Sequence, residues 1–216
     1  MVNVTDRKNS GEPEFTDVQA EELINDYLIR HNFTTTRFNT KKLGGLKSPD
    51  FKVYLNKELY FYCEVKNPML LVNDITKMFH WTTSISKIRR FIHKAVQQLN
   101  DVDNHHNFPW IIIFTSSHFQ LNWSNFSDSY LGYVARNGKM IRDLRHEKYV
   151  SNTNRDVNTV DAYIWCQVNS KNKIIYQLVP FINAGSRLKV KVEKIITKLK
   201  PSQSENISDI NSQKYN

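Results

Sequence analysis

Apolar and polar positions along the chain alternate with two different periods. Val18, Ala20, Leu23, Ile24, Tyr27 and Leu28 recur at three- and four-residue spacing, the stripe of an amphipathic helix. Thr16 or Asp17 is placed to cap it, and it runs to about His31. Ile85, Ile88, Ile92, Val96 and Leu99 form a second stripe, predicting a helix from about Ser84 to Leu99. Other runs read as strands. Residues 33–38 are threonine-rich, and residues 48–55 and 59–66 are strand-like runs joined by Asn56, Lys57 and Glu58. Residues 110–115 and 162–168 are continuous apolar runs, as expected of strands buried on both faces. Residues 173–179 alternate and pair with the preceding strand through a turn at 169–172. Residues 126–134 read as helical, and residues 188–199 as a short strand or helix end followed by a helix. The pattern assigns no element to 69–84 or to the charged stretch 143–149. This order predicts an α/β layer with a central mixed β-sheet flanked by helices. Residues 1–13 read as a flexible lead and 14–199 as one domain, with its core in 15–115; residues 200–216 read as a flexible tail.

One feature breaks the pattern. Asp50, Glu64 and Lys66 are charged, yet they sit in strand-like runs that normally exclude unpaired charge. Glu64 and Lys66 are two apart and so share a face, while Phe61, Cys63 and Val65 share the other. A three-residue loop at 56–58 would pair Leu55 with Leu59, and counting outward sets Asp50 opposite Glu64. Cross-strand neighbours have Cβ atoms about 5 Å apart, so the two carboxylates could share one divalent ion. The Val65 carbonyl is a candidate further ligand. Such an ion would activate water against a phosphodiester, and Lys66 would orient that water, stabilise charge on the phosphate or act as base. The plainer reading is a structural Glu64–Lys66 pair beside a solvated Asp50.

Charge narrows the partners. Lysine and arginine number 30 against 21 acids, giving +9, and both termini are balanced, so the excess belongs to the folded body. A basic body points to a polyanion, nucleic acid before an anionic membrane surface. The candidate contacts are Lys41, Lys42 and Lys47 in a glycine-bearing loop, then Lys87, Arg89, Arg90 and Lys94 on the second helix. Lys189, Lys191, Lys194 and Lys198 form a third group; each set serves equally well as a solvated face. Trp123 lies in a polar segment and is the candidate for base stacking, whereas Trp110 and Trp165 lie in apolar strands and belong to the core. Cys63 and Cys166 also lie in apolar runs, as buried thiols of a reducing cytoplasm would. His105-His106 lacks a third metal ligand and reads as a solvated pair. No signal peptide and no apolar run of about 20 residues is present, so a cytoplasmic location away from membranes is expected.

Pro49-Asp50, thirteen residues, then Glu64-Val65-Lys66 resembles the signature of the PD-(D/E)XK nucleases. The stretch Gln19-Ala20-Glu21-Glu22-Leu23-Ile24 is similar to the first helix of archaeal Holliday-junction resolvases, in which a glutamate is often an additional metal ligand. By position that residue is Glu21, with Glu22 the fallback. The second helix, with Lys94 and Gln97-Gln98, resembles one that offers a lysine or glutamine to the site in many of these enzymes. The resemblance covers about half the chain. It implies a restriction-endonuclease-like fold and DNA hydrolysis, with Mg²⁺ or Mn²⁺ held by Asp50, Glu64, Val65 and Glu21. It further implies Lys66 as the catalytic cation, an endonuclease in preference to an exonuclease, and dimerisation where two strands are cut. RNA is a second substrate class. The alternatives are a non-catalytic nucleic-acid-binding module retaining the fold, and a basic protein-interaction domain.

Overall fold

Thr16 begins the first helix, α1 (Asp17–Arg30), with a capping box: its hydroxyl accepts from the Gln19 N–H at 3.2 Å and the Gln19 side chain accepts from the Thr16 N–H at 2.9 Å. In this computed structural model the described residues are 15–38, 47–68, 81–117, 121–136, 139–169 and 174–199. The expected lead and tail, Lys41, Lys42 and residues 69–80 lie outside them. After α1 come β1 (Thr34–Arg37), β2 (Phe51–Leu55), β3 (Glu58–Lys66), α2 (Trp81–Val102) and β4 (Trp110–Ser116). The second half adds α3 (Trp123–Leu131), β5 (Tyr133–Arg136), β6 (Lys139–Asp143) and α4 (Lys148–Thr159). It closes with β7 (Ala162–Asn169), β8 (Ile174–Ile182) and α5 (Lys189–Leu199).

Six strands form one mixed sheet in the order β1-β2-β3-β4-β7-β8. β3, β4 and β7 run parallel at its centre, and the outer strands pair antiparallel. Period-two alternation sends the side chains of β4 to both faces. Ile111 and Ile113 join Ala20, Ile24 and Leu28 of α1 and Val192 and Ile195 of α5 in one core. Ile112 and Phe114 join Ile88, Ile92 and Leu99 of α2 and Phe126 of α3 in the other. Each fully buried side chain of this kind contributes roughly 1.5–3 kcal/mol, which explains why β4 and β7 carry uninterrupted apolar runs. The architecture is the expected one: an α/β fold with a mixed sheet flanked by helices.

Three expectations need correction. The β2–β3 loop has two residues, not three: Leu55 pairs with Glu58, and Asn56 and Lys57 both take positive φ, 54° and 69°. That is the conformation whose twist matches a hairpin. A bulge then adds one residue to β3, because Tyr54 pairs with Leu59 and Val53 with Phe61. Beyond it Phe51 pairs with Cys63, the register that a three-residue loop would have set. Residues 126–134 are not one helix; α3 ends at Gly132, which takes φ 73°, and the chain turns into β5. Arg89 is no surface cation. It is fully buried and donates to the carbonyls of Ser129 (2.7 Å) and Val150 (2.8 Å), to Thr153 (3.1 Å) and to Asn154 (3.2 Å). Charge at a helix position does not by itself reveal a neighbour that covers it, and here α3 and α4 do.

Candidate active site

Pro49 cannot donate to a ladder, so β2 begins only after it, and Asp50 sits at the bend just before Phe51. In place of regular pairing, Asp50 and β3 clamp each other. The Asp50 N–H donates to Glu64 Oε2 at 2.9 Å, and the Val65 N–H donates to Asp50 Oδ2 at 2.7 Å. Glu64 is completely buried on the face of β3 that α2 covers, beside Ile112 of β4. Lys66 lies on the same face and forms a close ion pair with Glu64 Oε1. Gln98 of α2 accepts from Lys66 Nζ at 3.2 Å, while its own amide donates to the Ser48 carbonyl at 2.9 Å. That second bond orients the Gln98 oxygen toward the ammonium. Glu64 and Gln98 thus hold Lys66, and Ser48 fixes Gln98.

Electrostatics set this centre apart from an ordinary ion pair. Burial, and then the negative charge of Asp50, push Glu64 up to about 8, against the opposing pull of Lys66. Burial raises Asp50 too, opposed by the Val65 N–H and Lys66. Two adjacent carboxyls with one cation cannot both ionise cheaply in a sheltered site. An added cation would reverse that preference.

The other expected residues divide. Glu21 lies within electrostatic range of Asp50, which after burial is the largest influence raising its pKa. Its carboxylate, however, pairs with Arg37 Nη1 of β1 at 2.7 Å. Arg37 is half exposed, lies across the ladder from Phe51 with its guanidinium 5.4 Å from that ring, and lowers the pKa of both Asp50 and Glu21. Val65 meets the site through its N–H. Lys47 is exposed immediately before Ser48. Arg90 and Lys94 are exposed on α2, and Lys87 is half-buried, its pKa lowered by burial and then by Arg90. Gln97 turns the other way from Gln98: its amide meets His93, whose Nδ1 contacts Asp156 of α4 at 2.7 Å. His106 is not solvated but a tie, bonded to Asp161 at 2.6 Å and stacked on Trp110 at 4.2 Å.

Sequence reasoning did not find Arg37, because an arginine ending a four-residue polar strand carries no signal until the strand is paired.

Among the described residues no group of three or more histidines, cysteines or acids stands ready to hold a metal ion. The candidate donors brought together are Asp50 and Glu64, with Glu21 in electrostatic range of Asp50. This set suits a hard cation such as Mg²⁺, which usually takes one or two carboxylates and completes its shell with water and phosphate oxygens. It would not suit a thiophilic metal, since its donors are carboxylates and Cys63 lies on the other face of β3. No family model matches the chain, and no curated protein or solved structure is detectably similar to it. No described helix is long and apolar enough to cross a membrane.

Proposed function

We propose that this protein is a metal-dependent nuclease of the PD-(D/E)XK type, with a restriction-endonuclease-like fold, that hydrolyses phosphodiester bonds in DNA. The observation that carries this reading is the reciprocal clamp between Asp50 and Glu64 with Lys66 fixed beside it. A sheltered acid pair of raised pKa, Glu64 buried and Asp50 half-buried, is poor structural material but a good seat for Mg²⁺ or Mn²⁺. When bound, such an ion neutralises phosphate charge and lowers the pKa of coordinated water. The protein's own groups do the rest. Asp50 and Glu64, both ionised, would hold the cation. Lys66, pinned by Glu64 and Gln98, presents its ammonium to the attacking water or to a non-bridging phosphate oxygen. Arg37 and Lys47 add positive charge at the rim, offsetting carboxylates that would otherwise repel a phosphodiester.

The test is cleavage of plasmid, branched and single-stranded DNA, and of RNA, in Mg²⁺, Mn²⁺ or EDTA. Metal-dependent products are expected. Glu64→Ala and Lys66→Ala should each lower the rate at least roughly 100-fold while DNA binding and the fold persist. Unchanged cleavage in either variant removes the centre from Asp50, Glu64 and Lys66. Absence of metal-dependent products on every substrate leaves a non-catalytic nucleic-acid-binding module.

A further inference from the structure

β5 and β6 form a separate two-stranded sheet joined through Asn137-Gly138, with Arg136 paired to Lys139. Val134 anchors it in a small core with Ile85 of α2, Leu144 and Val150 of α4. β6 itself is uncovered. Met140 and Ile141 are 56% and 64% exposed; Met140 pairs with Ala135, and Ile141 sits in a bulge between that pair and Val134–Arg142, where the strict alternation of faces is lost. Lys139 and Arg142 flank them, also exposed. A lone hairpin is marginally stable in water, and two bared aliphatic side chains add nothing to its stability there. Residues 132–148 also concentrate charge: Arg136, Lys139, Arg142, Arg145 and Lys148 against Asp143 and Glu147. Those two acids are already paired, Asp143 with Arg145 at 2.7 Å and Glu147 with Arg142 at 3.4 Å.

We propose that the β5–β6 ribbon enters the major groove of duplex DNA, with Met140 and Ile141 against base edges and sugars and Lys139 on a phosphate. Two strands about 4.8 Å apart fit a groove about 12 Å wide, and the net positive charge matches its phosphate walls. Placement supports this use. Gln98, at the cleavage centre, and Ile85, at the ribbon's anchor, are both on α2; thirteen residues at 1.5 Å each put the two about 20 Å apart. That is about six base pairs of duplex. The inference takes DNA as the partner from the proposed nuclease activity, and otherwise rests on the ribbon alone.

The test uses the full chain in EDTA with a fluorescent 24-base-pair duplex and a single strand of the same length, read by anisotropy across a salt series. Met140→Ser with Ile141→Ser should weaken duplex binding about tenfold and leave single-strand binding unchanged. Lys139→Gln should reduce the slope of log K against log salt by about one. Unaltered duplex affinity in the double variant together with an unaltered slope in Lys139→Gln overturns the proposal, as does a wild-type protein with no salt-sensitive duplex binding. A protein that cuts DNA with the ribbon variants silent loses only the ribbon. Ribbon-dependent duplex binding in a protein that cuts nothing loses only the nuclease. Silence on DNA with capture of a second copy of the chain would assign the ribbon to self-association and overturn the proposal as well.

Discussion

Glu64→Gln should make the metal-free protein more stable, and more so as pH rises. Glu64 is fully buried, and its pKa stands at about 8 against an ordinary 4.5. A carboxyl of that kind keeps its proton in the native state while the unfolded chain releases it. Its contribution is therefore complete below about pH 4.5 and is progressively lost as pH rises to about 8. One pH unit of this mismatch is worth about 1.4 kcal/mol, so the loss reaches at most roughly 5 kcal/mol by pH 8. Asp50, raised in the same direction, adds to the loss. Glutamine removes the titration while its carbonyl still accepts from the Asp50 N–H; the amide that replaces Oε1 faces Lys66, which keeps Gln98 as its acceptor. Urea unfolding in EDTA at pH 5, 6, 7 and 8 reads the difference. The variant should gain about 1–3 kcal/mol over wild type at pH 8, little at pH 5, and show a flatter pH dependence. Adding Mg²⁺ at pH 8 should stabilise wild type and leave the variant unmoved, because one of two donors has gone. Equal pH slopes, or a variant less stable than wild type at pH 8, would refute the claim that the buried acid pair is frustrated without a cation.

Two further outcomes follow from the same contacts. Gln98→Leu removes the acceptor on Lys66 and the tie to the Ser48 carbonyl, and should lower cleavage about tenfold with duplex affinity retained; Gln98→Glu, which restores the acceptor, should recover part of it. Arg89→Met removes the guanidinium that donates to the carbonyls of Ser129 and Val150 in the α2–α3–α4 junction, and should cost about 3 kcal/mol, read as a lowered urea midpoint at an unchanged m-value.

What the chain disclosed before folding follows from how local each cause is. α1 announces itself through Thr16, Gln19 and an apolar stripe, all within one helix. β4 and β7 announce themselves because a strand covered on both faces has no place for polar residues. Arg89 misled because its partners come from residues forty and more positions away, and a buried arginine satisfied by backbone carbonyls has no sequence signature. Gln97 and Gln98 were a pair that spacing alone could not split; only the angle of α2 against β3 turns Gln98 toward Lys66 and Gln97 toward α4.

The candidate centre shows why a register argument can succeed through a wrong intermediate. A loop assumed one residue too long and a bulge left out shift the pairing by equal and opposite steps, so Asp50 still meets Glu64. The compensation has a physical source. Phe61, Cys63 and Val65 belong to the core with α1, while Glu64 and Lys66 face α2; a one-residue slip would drive Glu64 into that apolar layer and lift Cys63 out of it. Two-sided burial therefore fixes the register near Asp50 regardless of the turn, and the bulge beside Tyr60 absorbs the difference at the end where the strand is only partly covered. It follows that changes to the loop at Asn56 and Lys57 should be accommodated in that bulge and leave the Asp50–Glu64 clamp in place, whereas changes at Phe61 or Cys63 act on the centre itself.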